Sequence, residues 1–309
     1  MKTLLVPVDF SYPSNQATRY ALHLARTMEA SVTLLHVHYD PITDSDLPPV
    51  GLGTTYVDTT EAVLYNIEIQ AQKELAEYAR QVRLWMPELT IETMMVRGFP
   101  EDEIPATAAR LHADLIVMGT RSNANHYKSL LGSMTARVAL RSSVPVLVVP
   151  EDCTYQPIRH VMYASDFDAA DTLAIHHLLD LLRDIPYELY TVYIFQEHGR
   201  SYSEADYASL RTALAHHLRE VKSAVALHVE ATGSRDLISG LDRQMLAHHV
   251  DLLVMHTHRR GFLSRLTHPS QTRRMLLHTH TPLLVMQETA GGHAVQPQAV
   301  REQDAAPTR

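Results

Sequence analysis

ADLIVMGTRSNANHYKSLLGSMTARV (Ala113–Val138) holds an apolar run, a polar stretch bounded by Gly119 and Gly132, and then a helical pattern. The same order returns in VDLLVMHTHRRGFLSRLTHPSQTRRM (Val250–Met275). ADLIVMG aligns with VDLLVMH, and SVPVLVVPE (Ser143–Glu151) with HTPLLVMQE (His280–Glu288), at one constant offset and without a gap. The strand-like starts also match, TLLVPVDFS (Thr3–Ser11) against HVMYASDFD (His160–Asp168). Self-similarity on this scale marks two copies of one structural unit. The offset is larger at the starts than at the ends, so the first copy carries extra residues. Asp40–Thr60, rich in Pro, Gly, Asp and Thr and without periodicity, accounts for them as a long surface loop.

Within each copy, short apolar runs alternate with helical patterns. In the first, TLLVPV precedes a segment where Ala17, Tyr20, Ala21, Leu24, Ala25 and Met28 recur at helical spacing. A second stripe, Leu64, Ile67, Ala71, Leu75, Tyr78 and Val82, predicts a long helix between SVTLLHV and TIETMMV. The order is β-α-β-α-β-α-β-α-β in both copies. Near-continuous apolar strands separated by helices imply a parallel sheet covered on both faces. Right-handed crossovers make that sheet doubly wound. The fold class is therefore α/β, with two tandem, doubly wound, parallel five-stranded sheets. Pro7 belongs at the carboxyl end of its strand, where pairing stops. The final strands, VPVLVV and TPLLVM, are apolar edges that would aggregate if left open. Pairing them with each other predicts an intramolecular pseudo-dimer.

Residues 1–150 make the first unit, 151–158 a linker, 159–288 the second unit, and 289–309 a disordered tail with no large apolar residue beyond its valines. A length of 309 residues fits two domains at about 150 each. The net charge of −8 offers no general attraction to nucleic acid or to anionic membranes, so an anion site must be local. The lone Cys153 cannot form an internal disulfide, which suits a reducing cytosol. Asp9 interrupts the first apolar run, so it reads as a strand rather than a leader. No run approaches the roughly 18 apolar residues of a membrane span. A cytoplasmic protein is the expectation.

Ligands of open parallel sheets bind outside the carboxyl ends of the strands, where strand order reverses. The first and fourth strands of each unit make that crevice, and in the first unit they end at Asp9 and Gly119. Gly119 lets the backbone turn sharply and approach a ligand. Gly132 and Ser133 open the last helix, whose free amides favour phosphate, and Arg121 and Lys128 add charge. Each residue also has a plainer reading. Ser133 and Ser270 suit helix N-caps, Asp9 and Asp166 suit turns, and Gly119 suits a tight turn.

VPVDFS, DLIVMGTR and LLGSMTARVALRSSVPVLVV together resemble the universal stress protein family, as two tandem domains. The resemblance implies an adenine nucleotide alpha hydrolase-like fold and an adenine nucleotide, ATP or ADP, in the first domain. It implies that Asp9 and Val37 contact the adenosine part, and that Gly119, Gly132 and Ser133 contact ribose and phosphates. Arg121, Ser122 and Met134 complete the candidate set. Ser122 stands where the family's pattern has its second glycine, and a left-handed backbone there costs a serine about 1 kcal/mol. With Asp9 the one evident acidic ligand, Mg²⁺ is expected to matter only modestly.

The second domain departs at all three glycine positions, with His256, Arg259 and Pro269. Pro269 has no amide to offer a phosphate, so this domain reads as a structural partner. Most of the 20 histidines fall in this half, HTH occurring at His256–His258 and His278–His280. No carboxylate or cysteine recurs with them at ligand spacing, so solvated or capping roles are favoured over a metal. No nucleophile elbow, Walker loop or dinucleotide fingerprint is present. The reading is a stress-response protein that binds nucleotide and acts by regulation through protein partners the sequence does not name. Further association of whole chains stays open, and neither nucleic acid nor membrane is expected. A nucleotide-free scaffold and a slow ATPase are the other readings.

Overall fold

The computed structural model describes residues 1–38, 55–120, 133–165, 167, 170–196, 204–218, 225–257 and 280–287. The first half runs β1 (Thr3–Pro7), α1 (Tyr12–Thr27), β2 (Ser31–His38), α2 (Thr55–Trp85), β3 (Ile91–Arg97), α3 (Pro100–Arg110), β4 (Leu115–Thr120), α4 (Ser133–Arg141) and β5 (Val146–Pro150). The second runs β6 (His160–Ser165), α5 (Ala170–Leu181), β7 (Glu188–Gln196), α6 (Glu204–His217), β8 (Ala226–Ser234), α7 (Leu237–Ala247), β9 (Leu252–Thr257) and β10 (Leu283–Gln287). The last helix expected in the second copy, and the tail, lie outside the described residues.

All ten strands form one sheet in the order β3-β2-β1-β4-β5-β10-β9-β6-β7-β8. Pairing is parallel within each half and antiparallel only at the seam, where Leu284 faces Leu147. The predicted joining of the two final strands is therefore the seam itself. It merges the two expected sheets into one and covers both apolar edges. Pro7 is the last residue of β1, as its missing amide requires.

Alternation along each strand divides the core into two layers. Leu4 and Val6 pack under α1 and α2, while Leu5 faces the opposite layer with α3 and α4. Both layers run unbroken through the seam. Leu147 and Val149 join Leu284 and Met286 on one face, and Val146 and Val148 join Leu283 and Val285 on the other. Lys2 adds a tie from the first half to the second, donating to the carbonyl of Leu181 and to Asp184, each at 2.7 Å.

α1 forms where its buried stripe of Ala17, Tyr20, Ala21 and Leu24 is prefaced by the N-cap Ser11, whose hydroxyl accepts from the Ser14 amide, and by Pro13 in the first turn. One expectation needs correcting. The loop assigned to Asp40–Thr60 is shorter, because α2 already begins at Thr55. The remainder of that segment lies outside the described residues.

Candidate functional site

The sheet order places β1 beside β4, and their chains leave on opposite faces. β1 leads into α1, which packs on β1, β4 and β5, whereas α4 packs against α3 and the other face. A mouth opens between the two carboxyl ends. After β1 the chain bends at Phe10, a non-glycine residue with φ 62°. Its ring stacks on His36 (centroids 5.0 Å apart) and meets Tyr78 edge-on, contacts that hold an otherwise unfavourable backbone. His36 Nδ1 donates to the Val8 carbonyl at 2.8 Å.

This bend presents Asp9. Its Oδ1 accepts from the Ser11 amide at 3.0 Å and the Ser11 hydroxyl at 2.6 Å, and its own amide donates to the Ser14 hydroxyl. Asp9 is exposed, and its second oxygen has no hydrogen-bond donor among the described residues. Val37 stands two residues past the last β1 pairing, Pro7 with Leu35. The Leu35 carbonyl accepts from Val8 and the His38 carbonyl from Gly98, so alternate residues of β2 face β1 and β3. Val37 takes the β1 side, where β1 has already turned away. Its side chain packs, half-buried, on the α3–α4 layer.

Gly119 lies inside β4 rather than at a turn, and the expected sharp bend there is corrected. A Cβ at this position would meet the Pro13 carbonyl oxygen at 2.1 Å. The glycine therefore lets the first turn of α1 sit directly on β4. Its own carbonyl accepts from the Thr135 hydroxyl at 2.9 Å, which ties the start of α4 to the end of β4. Thr135 was missed by sequence reasoning, although a buried hydroxyl in the first turn of a helix that follows a strand is the available signal. Ser133 begins α4, and Met134 is half-buried against the α3–α4 layer. The structure thus gathers Asp9, Val37, Gly119 and the start of α4. Arg121, Ser122, Lys128 and Gly132 lie outside the described residues.

The second half repeats the wiring with different contents. β6 lies beside β9, and Phe167 again bends the chain, with φ 58° and its ring near Tyr193. His256, aligned with Gly119, sits in β9 opposite Met286. Asp171, aligned with Ser14, is 2% exposed. Its Oδ1 accepts from Tyr163 at 2.9 Å and its Oδ2 from Ser165 at 2.6 Å. A buried carboxyl group therefore occupies the first turn of α5, a second feature that sequence reasoning missed. Its signal was acidic spacing, Asp at a helix start six residues after a strand-end Ser. Asp166, Arg259, Pro269 and Ser270 lie outside the described residues.

Several described histidines of this half make pair contacts. His228 Nε2 is 3.2 Å from Glu188, His248 Nε2 is 3.1 Å from Glu230, and both rings stack on Tyr190. His248 also caps α7. Among the described residues no group of three or more His, Cys, Asp or Glu is placed to hold a metal ion. No described helix is long and apolar enough to cross a membrane.

The model of the universal stress protein family matches residues 1–150 and again 157–287. A universal stress protein of Methanocaldococcus jannaschii is 30% identical over 148 residues, covering 48% of this chain and 81% of that protein. Universal stress protein YxiE of Bacillus subtilis is 31% identical over 149 residues, covering 47% and 97%. The crystal structure of a universal stress protein from Archaeoglobus fulgidus superposes with a TM-score of 0.68 over 92% of this chain and 98% of that one. At 17% identity it bears on the fold alone.

Proposed function

The chain belongs to the universal stress protein family, and from that premise we propose that its first domain binds one adenine nucleotide and acts by regulation. The observation that carries this reading is the β2 end of the mouth. There the peptide groups of Val37 face past the end of β1, beside an Asp9 carboxylate with an open oxygen. A peptide N–H and C=O side by side complement the acceptor and amino donor on the edge of adenine. A carboxylate accepts from ribose hydroxyls, and the amides that open α4 suit phosphate. Arg121, Ser122, Gly132, Ser133 and Met134 belong to the same proposed set, by their place in the family's motif. Binding would alter a surface seen by protein partners.

A nucleotide-free scaffold is favoured by a different observation. Gly119 is already accounted for by Pro13, and Asp9 by the Ser11 turn, without any ligand. Mass spectrometry of small molecules released from freshly purified protein tests the two readings. ATP or ADP near one per chain is expected. Empty protein that also fails to take up millimolar nucleotide would leave the scaffold.

A further inference from the structure

A second concavity lies on the α1–α2 face, farther along α1 than the mouth. It is a groove of about 410 Å³ between Arg19 and His23 of α1, Trp85 and Met86 at the end of α2, and Tyr155 of the linker. That volume lies within the range of small-molecule sites. The linker creates it by crossing α1 after β5. The Tyr155 ring stacks on His23 (5.0 Å, 11°) and meets Tyr20 edge-on (5.0 Å, 74°), and its hydroxyl is 3.1 Å from the Thr27 hydroxyl. The wall therefore comes from the segment that joins the two domains.

Arg19 sets the chemistry. Its guanidinium lies 4.2 Å from the centre of the Trp85 ring, and it has no carboxylate partner among the described residues. A guanidinium held over an indole face by its central carbon can still turn N–H groups to a carboxylate and grip it in two parallel bonds. The carboxylate beside the groove is already engaged. Asp152 is turned to His280, 3.0 Å away. Burial and the nearby Asp152 push the Cys153 thiol up to about 11, so it stays protonated. Burial, then Arg26, holds His23 below its ordinary value, which leaves an uncharged ring surface. Aromatic faces, the Met86 thioether and Leu22 line most of the rest, with Gln16 and Thr154 as polar neighbours.

We propose that this groove binds a small planar aromatic carboxylate, with Arg19 holding the carboxylate and the ring lying between Trp85–Met86 and the Tyr155–His23 pair. The site is separate from the nucleotide mouth and does not depend on it.

The test is isothermal titration of the full chain with 2-naphthoate, and with 2-naphthamide as its neutral counterpart. Trp85 is the one tryptophan, so its indole N–H gives a single assignable signal in a ¹⁵N-correlated spectrum. Saturable binding of one naphthoate per chain is expected, with movement of that signal. The amide should bind at least about tenfold more weakly, and Arg19→Gln should lose a similar factor while Arg19→Lys loses less. Arg19 is exposed, so an unchanged melting temperature will show that the variants fold. Equal affinity for the amide, full affinity in Arg19→Gln, an unmoved indole signal at saturation, or no binding at millimolar naphthoate would overturn the proposal.

Discussion

The two halves share a chain path and differ in what fills it. Both bend after the first strand at a phenylalanine with positive φ, Phe10 and Phe167, and both set that ring against an aromatic ring of the neighbouring strand, stacked on His36 in the first half and tilted against Tyr193 in the second. Both place the first and fourth strands side by side. Yet the first half has Gly119 and Ser14 where the second has His256 and a buried Asp171. The apolar strands set the architecture, and the proposed difference in binding rests on a few residues around the mouth. The buried Asp171 is engaged by Tyr163 and Ser165, whereas Ser14 accepts from the Asp9 amide.

The comparison fails first if the halves are separable. Val148 is fully buried at the seam, and Val148→Asp places an unpaired charge there at a cost of more than about 4 kcal/mol. Val285→Asp, across the seam, should cost a similar amount. Urea unfolding should show both halves losing stability together, and one half keeping its full resistance would mean that the sheet is not a single unit. A smaller effect separates the two helix starts. Asp171→Ala removes the acceptor of two hydroxyls and should cost about 2–4 kcal/mol, against about 1 kcal/mol for Ser14→Ala. Equal losses in chemical denaturation would show that Asp171 has no special place.

Gly119→Ala should cost about 1–3 kcal/mol, because the new methyl group meets the Pro13 carbonyl. His256→Gly should cost only about 1 kcal/mol, the ordinary penalty of a glycine in a strand. A harmless Gly119→Ala would remove packing as the reason for that glycine. The smallest effect concerns the Lys2–Asp184 tie. The hydrogen bond from Lys2 holds the Asp184 carboxyl below its usual 3.8. Its contribution is therefore present above that value and is lost as pH falls through the lower folded value. Asp184→Asn should melt slightly earlier than the parent at pH 7, and the gap should close in strong acid and in high salt. A gap that persists in acid would deny the pairing.

Most of the architecture was legible because apolar runs and helical stripes are direct consequences of burial. The repeat, the adjacency of the first and fourth strands, Pro7 at a strand end and the pairing of VPVLVV with TPLLVM all follow from that pattern. The start of α2 was not legible, because Pro, Gly, Asp and Thr in Asp40–Thr60 all read as loop residues, yet the helix already begins at Thr55. At the mouth, Asp9 and Gly119 were identifiable by position, but their contacts were not. Gly119 was read as a turn, yet its neighbour is the Pro13 carbonyl, which lies across two elements and leaves no mark in local spacing. Asp171 escaped for the same reason, since its partners Tyr163 and Ser165 declare themselves only once the helix packs on the strand.

The central claim is that only one half of this duplicated sheet receives a nucleotide. Isothermal titration of the intact chain with ATP tests it most directly, with Gly132→Val as the companion variant. The account predicts one site per chain, lost by at least about a hundredfold when a branched side chain blocks backbone approach at Gly132. Two equivalent sites, or undiminished affinity in Gly132→Val, would contradict it.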